Sequence, residues 1–272
     1  KHRKEHKITA MASQLHLWSA LHRGVPRRLR LATRGSALAL WQAEKVKAVL
    51  EKAAPGLSII IVPMRTSGDR LRGSLVEAGG KGLFVKEIED ALLRDAADIA
   101  VHSLKDMPAD LPPKLVLAGY LRRADPRDAL VSRRGLRLRE LPPAPRIGTG
   151  SPRRAALFMR ARPDAVIVPL RGNVATRLKK LKTQKLDAVA LACAGLDRLG
   201  LGKHITERLP VNLFIPAPGQ GIGAVECREG DAALRALLRF ITPAASRVAA
   251  TAERAFLKAV GGDCRMPMGG HA

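Results

Sequence analysis

Short aliphatic strands, each running into a glycine or serine turn and then an amphipathic helix, recur along this chain and direct it to an α/β fold. Leu29, Leu31 and Thr33 alternate as a first strand, Gly35 permits a tight turn, and Ser36 suits the N-cap of a helix running towards Lys52. Ala37, Leu40, Trp41, Val46 and Val49 are the expected buried stripe of that helix. Residues 57–64 form a second strand, near-continuously apolar as parallel strands tend to be. An amphipathic helix over 83–94 then leads into a third strand at 98–101. The order βαβαβ predicts a parallel sheet with helices on its faces.

The same grammar continues. A strand is expected at 115–121, and 122–135 reads as a crossover into a second unit, with a short helix near Leu138. A strand at 146–149 ends at Thr149, Ser151 caps the next helix and Pro152 takes its first position. Arg153 and Arg154 fall in that helix's first turn, where the helix terminus is already positive, so they require an anion to offset them. A strand at 165–169 precedes a turn with Arg171 and a basic helix with Arg177, and the strand at 187–191 leads to a loop with Arg198. Strands at 211–215 and 222–227 flank PAPGQG, a hinge back to the first unit. Helices at 231–240 and 243–260 follow, the second with Ala249, Ala252, Phe256 and Val260 expected inside. The expected division is a basic irregular arm over 1–28, a first domain of 29–122 with 213–238, a second of 123–212, and the start of a third at 239–272.

Composition narrows the function. The chain of 272 residues carries a formal net charge of +24, which attracts polyanions. Between Gly150 and Lys185 there are ten Lys or Arg residues against Asp164 alone. Aromatics are only 3%, too few for a single-strand stacking platform, and no helix-turn-helix or zinc pattern is present, so a nucleic-acid partner is not expected. The cores must be aliphatic. No apolar run reaches the roughly 18 residues of a membrane span, and no metal site is expected from Cys193, Cys227 and Cys264, which are widely spaced. A reducing cytoplasm suits those cysteines, with an organellar setting if the source is eukaryotic, and a monomer is expected.

DIAVHSLKDMP, 98–108, is the candidate catalytic stretch: a short strand turns polar at once and is stopped by Pro108, leaving His102, Ser103, Lys105 and Asp106 at a strand-to-loop corner. A carboxylate beside a fixed cation is favoured in its charged form, which suits Asp106 to a cationic centre. Cys193 and Cys227 read as core residues, whereas Cys264 lies in a glycine- and proline-bounded loop beside Arg265, which favours the thiolate. It serves either as a nucleophile, with no histidine base near in sequence, or as a thiolate that permanently carries a group and needs none.

Taken in order, ATRGSALALWQA, GGKGLF, HSLKDMP, TGSPRRAA, LRGNVATRL, LACAGLDRLG, PAPGQGIGAVECR, AERAFL and GGDCRMPMG resemble the porphobilinogen deaminase (hydroxymethylbilane synthase) family over roughly 29–269. The resemblance implies two lobes like those of periplasmic binding proteins around a hinged cleft, with a smaller third α/β domain that is incomplete in this chain. It implies a dipyrromethane cofactor held by Cys264 through a thioether, and polymerisation of porphobilinogen head to tail, with release of hydroxymethylbilane and ammonia. Asp106 matches the central catalytic group and Lys105 its partner. Arg34, Ser36, Ser103, Lys105, Thr149, Ser151, Arg153, Arg154, Arg171, Arg177 and Arg198 match residues around the carboxylates of cofactor and substrate. Asp263 stands where the family usually has glycine, and the chain ends soon after the cysteine loop, as a cropped sequence would. A non-enzymatic two-lobed anion-binding protein is the alternative, and a lid over 70–82 is expected to cover the cleft.

Overall fold

Arg28–Arg34 (β1) and Ser58–Met64 (β2) pair in parallel, from Arg28 opposite Ser58 to Arg34 opposite Met64. The structure, a computed structural model, describes residues 24–70, 85–262 and 266–272. Most of the expected N-terminal arm, the expected lid and Cys264 with its neighbours Asp263 and Arg265 lie outside the described residues.

Between the two strands runs Ala37–Ala53 (α1), begun as expected by Ser36, whose Oγ accepts a hydrogen bond from the Ala39 amide at 3.3 Å. Its buried face is Gln42, Ala43, Val46 and Leu50, so the expected stripe is displaced: Ala37 and Trp41 are exposed, and Leu40 and Val49 half-buried. The reason is polar. Gln42 turns inward because its Nε2 reaches Ser103 Oγ at 3.2 Å, and a buried amide with a partner is tolerated where apolarity alone would forbid it.

Ser67–Arg70 (α2) and Lys86–Leu93 (α3) precede Ile99–Ser103 (β3), which lies parallel to β1, and Leu115–Tyr120 (β4) follows. The chain then builds a second sheet from Asp128–Ser132 (β5), Arg146–Thr149 (β6), Pro152–Ala161 (α4), Val166–Pro169 (β7), Val174–Thr183 (α5), Ala188–Ala192 (β8), Cys193–Arg198 (α6) and Glu207–Arg208 (β9). It returns to the first sheet as Gly223–Arg228 (β10), and Ala232–Phe240 (α7) and Ala244–Ala259 (α8) complete it. The strand orders are β2-β1-β3-β10-β4 and β7-β6-β8-β5-β9. β10 is antiparallel to β3 and β4, and β5 to β8 and β9, so each sheet is mixed rather than wholly parallel. The antiparallel member in each is the strand that arrives from the other lobe.

Four local expectations change. β5 lies where only a crossover was expected; its apolar core, Ala129 to Val131, is short and framed by charged residues, yet buried throughout. Arg198 closes the short helix α6 instead of lying in a loop. Residues 211–215 form a turn between Pro210 and Pro216, with the Leu213 and Phe214 amides donating to the Pro210 carbonyl. On α8 Ala249 is buried as expected, but Ala252, Phe256 and Val260 are exposed. There the inner face carries Ser246 and Glu253, which bind Arg123 through its amide (2.9 Å) and its guanidinium (2.6 Å). Both cores are aliphatic but for Phe158 and Phe214, whose rings meet at 4.9 Å in the second lobe.

Candidate active site

β3 ends at Ser103, and Leu104–Asp106 makes a single 3-10 turn before Met107 and Pro108. Leu104 and Met107 are buried and anchor the turn, which leaves Lys105 half-buried and Asp106 exposed. His102 is not in the turn itself. It lies within the strand, buried, with Nε2 2.9 Å from Glu226 Oε2 of β10. A cavity at the corner is lined by Arg34, Ser36, Gln42, His102, Ser103 and Asp106, among others. The expected binding and catalytic residues Arg34, Ser36, Ser103 and Asp106 thus come together, joined by Gln42, which nothing in the local sequence marks as more than a helix position.

The second lobe presents a matching mouth. Thr149 ends β6, Ser151 Oγ accepts from the Arg154 amide at 3.4 Å, and the Ser151 amide donates to Thr149 Oγ1 at 3.2 Å. Arg153 and Arg154 occupy the first turn of α4 and are both buried. The anion that offsets them is internal: Asp128, the first residue of β5 and fully enclosed. Arg153 NH1 reaches Asp128 Oδ2 at 2.8 Å, and Arg154 holds Oδ1 through Nε at 3.0 Å and NH2 at 2.7 Å. Burial alone would raise the Asp128 carboxyl, but Arg154 and Arg153 outweigh it and hold it well below the usual carboxylate range. Two guanidinium groups share one carboxylate, so the cluster keeps a net positive charge.

The two lobes act on one another electrostatically. The Lys105 ammonium is pushed down to about 8 by desolvation and then by Arg154, against the pull of Asp106 and Asp128. Arg177, on α5, is brought down to about 10 by desolvation and then by Arg154, with Asp106 acting the other way and Arg171 adding to the crowding. Asp106 of the first lobe and Arg154, Arg171 and Arg177 of the second therefore share one field. Both depressed cations donate to neutral oxygens: Lys105 Nζ to Gln220 Oε1 at 3.3 Å, Arg177 Nε to the Gly172 carbonyl at 2.7 Å. Arg198 sits farther along, its NH2 on the Gly221 carbonyl at 2.7 Å and its guanidinium carbon 5.4 Å from the centre of the Trp41 ring. Asp128 and Gln220 were also missed by the sequence reading, since only a long-range partner marks either one.

Two α/β lobes with crossing strands in each sheet define the class of the periplasmic solute-binding fold. A TRAP periplasmic solute binding protein from Desulfovibrio salexigens superposes with a TM-score of 0.50 at 12% identity, over 85% of this chain and 77% of that one, a likeness of fold. Sequence is more specific. A family profile described as "Porphobilinogen deaminase, dipyromethane cofactor binding domain" matches residues 29–236. The chain is 50% identical over 245 residues to the porphobilinogen deaminase of Syntrophotalea carbinolica, covering 90% of this chain and 78% of that protein. It is 51% identical over 245 residues to that of Xanthomonas euvesicatoria pv. vesicatoria, covering 90% and 81%. The chain belongs to the porphobilinogen deaminase family.

Proposed function

We propose that Asp106 and Lys105 are the catalytic pair of this site and that Cys264 carries its dipyrromethane through a thioether. The activity is hydroxymethylbilane synthesis: four porphobilinogen molecules are deaminated and joined head to tail on the covalent primer, and linear hydroxymethylbilane and ammonia are released. The observation that carries the reading is the exposed Asp106 carboxylate at the β3 corner, in the same field as Lys105 and Arg177.

The donor set fits the cofactor. A dipyrromethane carries an acetate and a propionate on each ring, and Lys105 and Arg177 are desolvated cations whose hydrogen-bond partners are neutral oxygens. Arg34, Ser36, Ser103, Arg171 and Arg198 extend that set, with Thr149, Ser151, Arg153 and Arg154 shaping the mouth of α4. Guanidinium forks match carboxylates in bidentate fashion. When bound, the dipyrromethane supplies an electron-rich pyrrole carbon as the primer. Asp106 stabilises the positive charge that develops on the substrate as its aminomethyl nitrogen departs as ammonia. Lys105 takes a side-chain carboxylate beside it. The arginines hold the substrate's carboxylates and so orient its ring.

The first domain, 29–122 with 213–238, and the second, 123–212, form the two walls, a division supported by the departure after β4 and return at β10. The third, beginning at 239, brings the cofactor cysteine. The working state in this reading is a cytoplasmic monomer; Cys193 and Cys227 are buried free thiols, both pushed up to about 12 by burial. No helix among the described residues is long and apolar enough to cross a membrane.

The test is the intact mass of the purified holoprotein beside a Cys264→Ser sample. An added mass of two linked pyrrole units in the first and not the second is expected, with single-pyrrole steps after porphobilinogen is supplied. A bare chain even after porphobilinogen or preuroporphyrinogen has been supplied would point to a two-lobed anion-binding protein instead.

A further inference from the structure

We propose that Gln220 is a positioning residue that holds the Lys105 ammonium and fixes it in register with the Asp128–Arg153–Arg154 cluster of the other lobe. The side chain is enclosed, with the residue 1% exposed, where the two crossings between lobes meet. Its Nε2 donates to the Pro126 carbonyl at 2.7 Å and to Asp128 Oδ1 at 2.9 Å, both on the outgoing crossing. Two acceptors, one of them a carboxylate, determine which end of the amide is nitrogen. Oε1 is then the end that meets Lys105, whose Nζ donates to it at 3.3 Å. The flipped amide would set N–H groups against an ammonium and an oxygen against a carboxylate.

The backbone leaves this side chain little freedom. Gly219 and Gly221 have φ of +76° and +89°. A Cβ on Gly219 would lie 2.7 Å from Leu104 Cγ and 3.0 Å from the Lys105 amide nitrogen, and one on Gly221 would lie 2.6 Å from the Ala124 carbonyl oxygen. The returning segment is therefore pressed against the catalytic corner on one side and the outgoing crossing on the other. Arg123 Nε donates to the Gln220 carbonyl at 3.1 Å, and the Gly219 amide donates to Glu253 Oε2 at 2.5 Å.

An amide suits this place because it is neutral. The titratable groups acting on Lys105 are Arg154, Asp106, Asp128 and Arg153. A carboxylate at position 220 would neutralise the ammonium directly, whereas the amide oxygen orients it and leaves its charge for a substrate carboxylate. The inference rests on the assignment of Lys105 to the site.

The experiment compares the holoenzyme with K105M, Q220M and the double variant, reading kcat and KM for porphobilinogen separately, with thermal melting and cofactor mass as checks. Q220M is expected to lower kcat/KM about tenfold, with the double variant no worse than K105M, because the amide acts through the ammonium. Unchanged kinetics in Q220M, or losses that multiply in the double variant, overturn the proposal. A K105M enzyme close to the unmodified one overturns instead the assignment of Lys105, and the proposal with it. Q220M removes buried hydrogen bonds at the hinge, so Q220N, which keeps an amide there but is one methylene too short to reach all of its partners, gives a second reading. Activity that depends on the ammonium is expected to fall as pH rises past about 8 in the unmodified enzyme. With the Gln220 oxygen withdrawn from the ammonium in either variant, that limb is expected to move down by about one pH unit. An unmoved limb overturns the proposal.

Discussion

In the first lobe β10 arrives antiparallel between β3 and β4; in the second, β5 arrives antiparallel between β8 and β9. Each crossing strand brings a fully buried acid, Glu226 in one case and Asp128 in the other. Their surroundings are opposite. Asp128 is gripped by two guanidinium groups and the Gln220 amide. Glu226 has His102 on Oε2, a buried Oε1 without a hydrogen-bond partner among the described residues, and the buried Glu89 acting on it from α3. The crossing strand thus brings an acid with little cationic company into the sheet that ends at Asp106, and an acid held by two cations into the sheet on the side of Arg171 and Arg177. The difference suits a reaction whose substrate is anionic at its edges and becomes cationic at its reacting carbon: the lobes can divide the two charges between them.

Three substitutions test that division. D106N keeps shape and removes the carboxylate charge from the β3 corner; turnover is expected to fall roughly a thousandfold, with the dipyrromethane still present by mass. Near-normal turnover would end the idea that this corner serves the developing cation. D128N strips the counter-charge from two buried arginines, and a loss of about 3 kcal/mol in stability is expected from denaturant unfolding near neutral pH. Because the folded carboxyl lies far below its unfolded value, that contribution is complete above pH of about 4 and fades only in stronger acid.

E89Q addresses the other imbalance. Desolvation, then Glu226 and Asp90, push Glu89 up to about 7. An acid raised in this way binds its proton more tightly when folded, so stability declines as pH climbs from about 4.5 to 7 and then levels off. The substitution is expected to leave melting near pH 4 unchanged and to add about 2 kcal/mol near pH 8. Equal effects at both values would show that Glu89 is not strained by its charge.

What the sequence made legible was local. Ser36 and Ser151 as caps, Pro152 at a helix start, the apolar run of β2 and the break at Pro108 are each decided by neighbours within a few residues, and the structure agrees on all of them. The inward turn of Gln42 depends on Ser103, and the burial of Ser246 and Glu253 on Arg123. Those partners are 61, 123 and 130 residues away in the chain, and no periodicity encodes them. The arginine pair shows both sides of this. Its placement at a positive helix end signalled a missing anion, but the first anion to meet it is Asp128, from a strand whose short apolar run was hidden among charges.

Trp41 was expected in the core and lies at the surface instead, under Arg198 of the opposite lobe. Indole emission is sensitive to a nearby charge, and a guanidinium over the ring is held by the ring's own electron density. Any motion that draws the lobes apart, or pulls Arg198 towards an incoming carboxylate, changes what that ring experiences. The chain has only one other tryptophan, Trp18. With Trp18 replaced by phenylalanine, the protein's intrinsic fluorescence would become a single-site gauge of cleft closure, readable turnover by turnover without an added label.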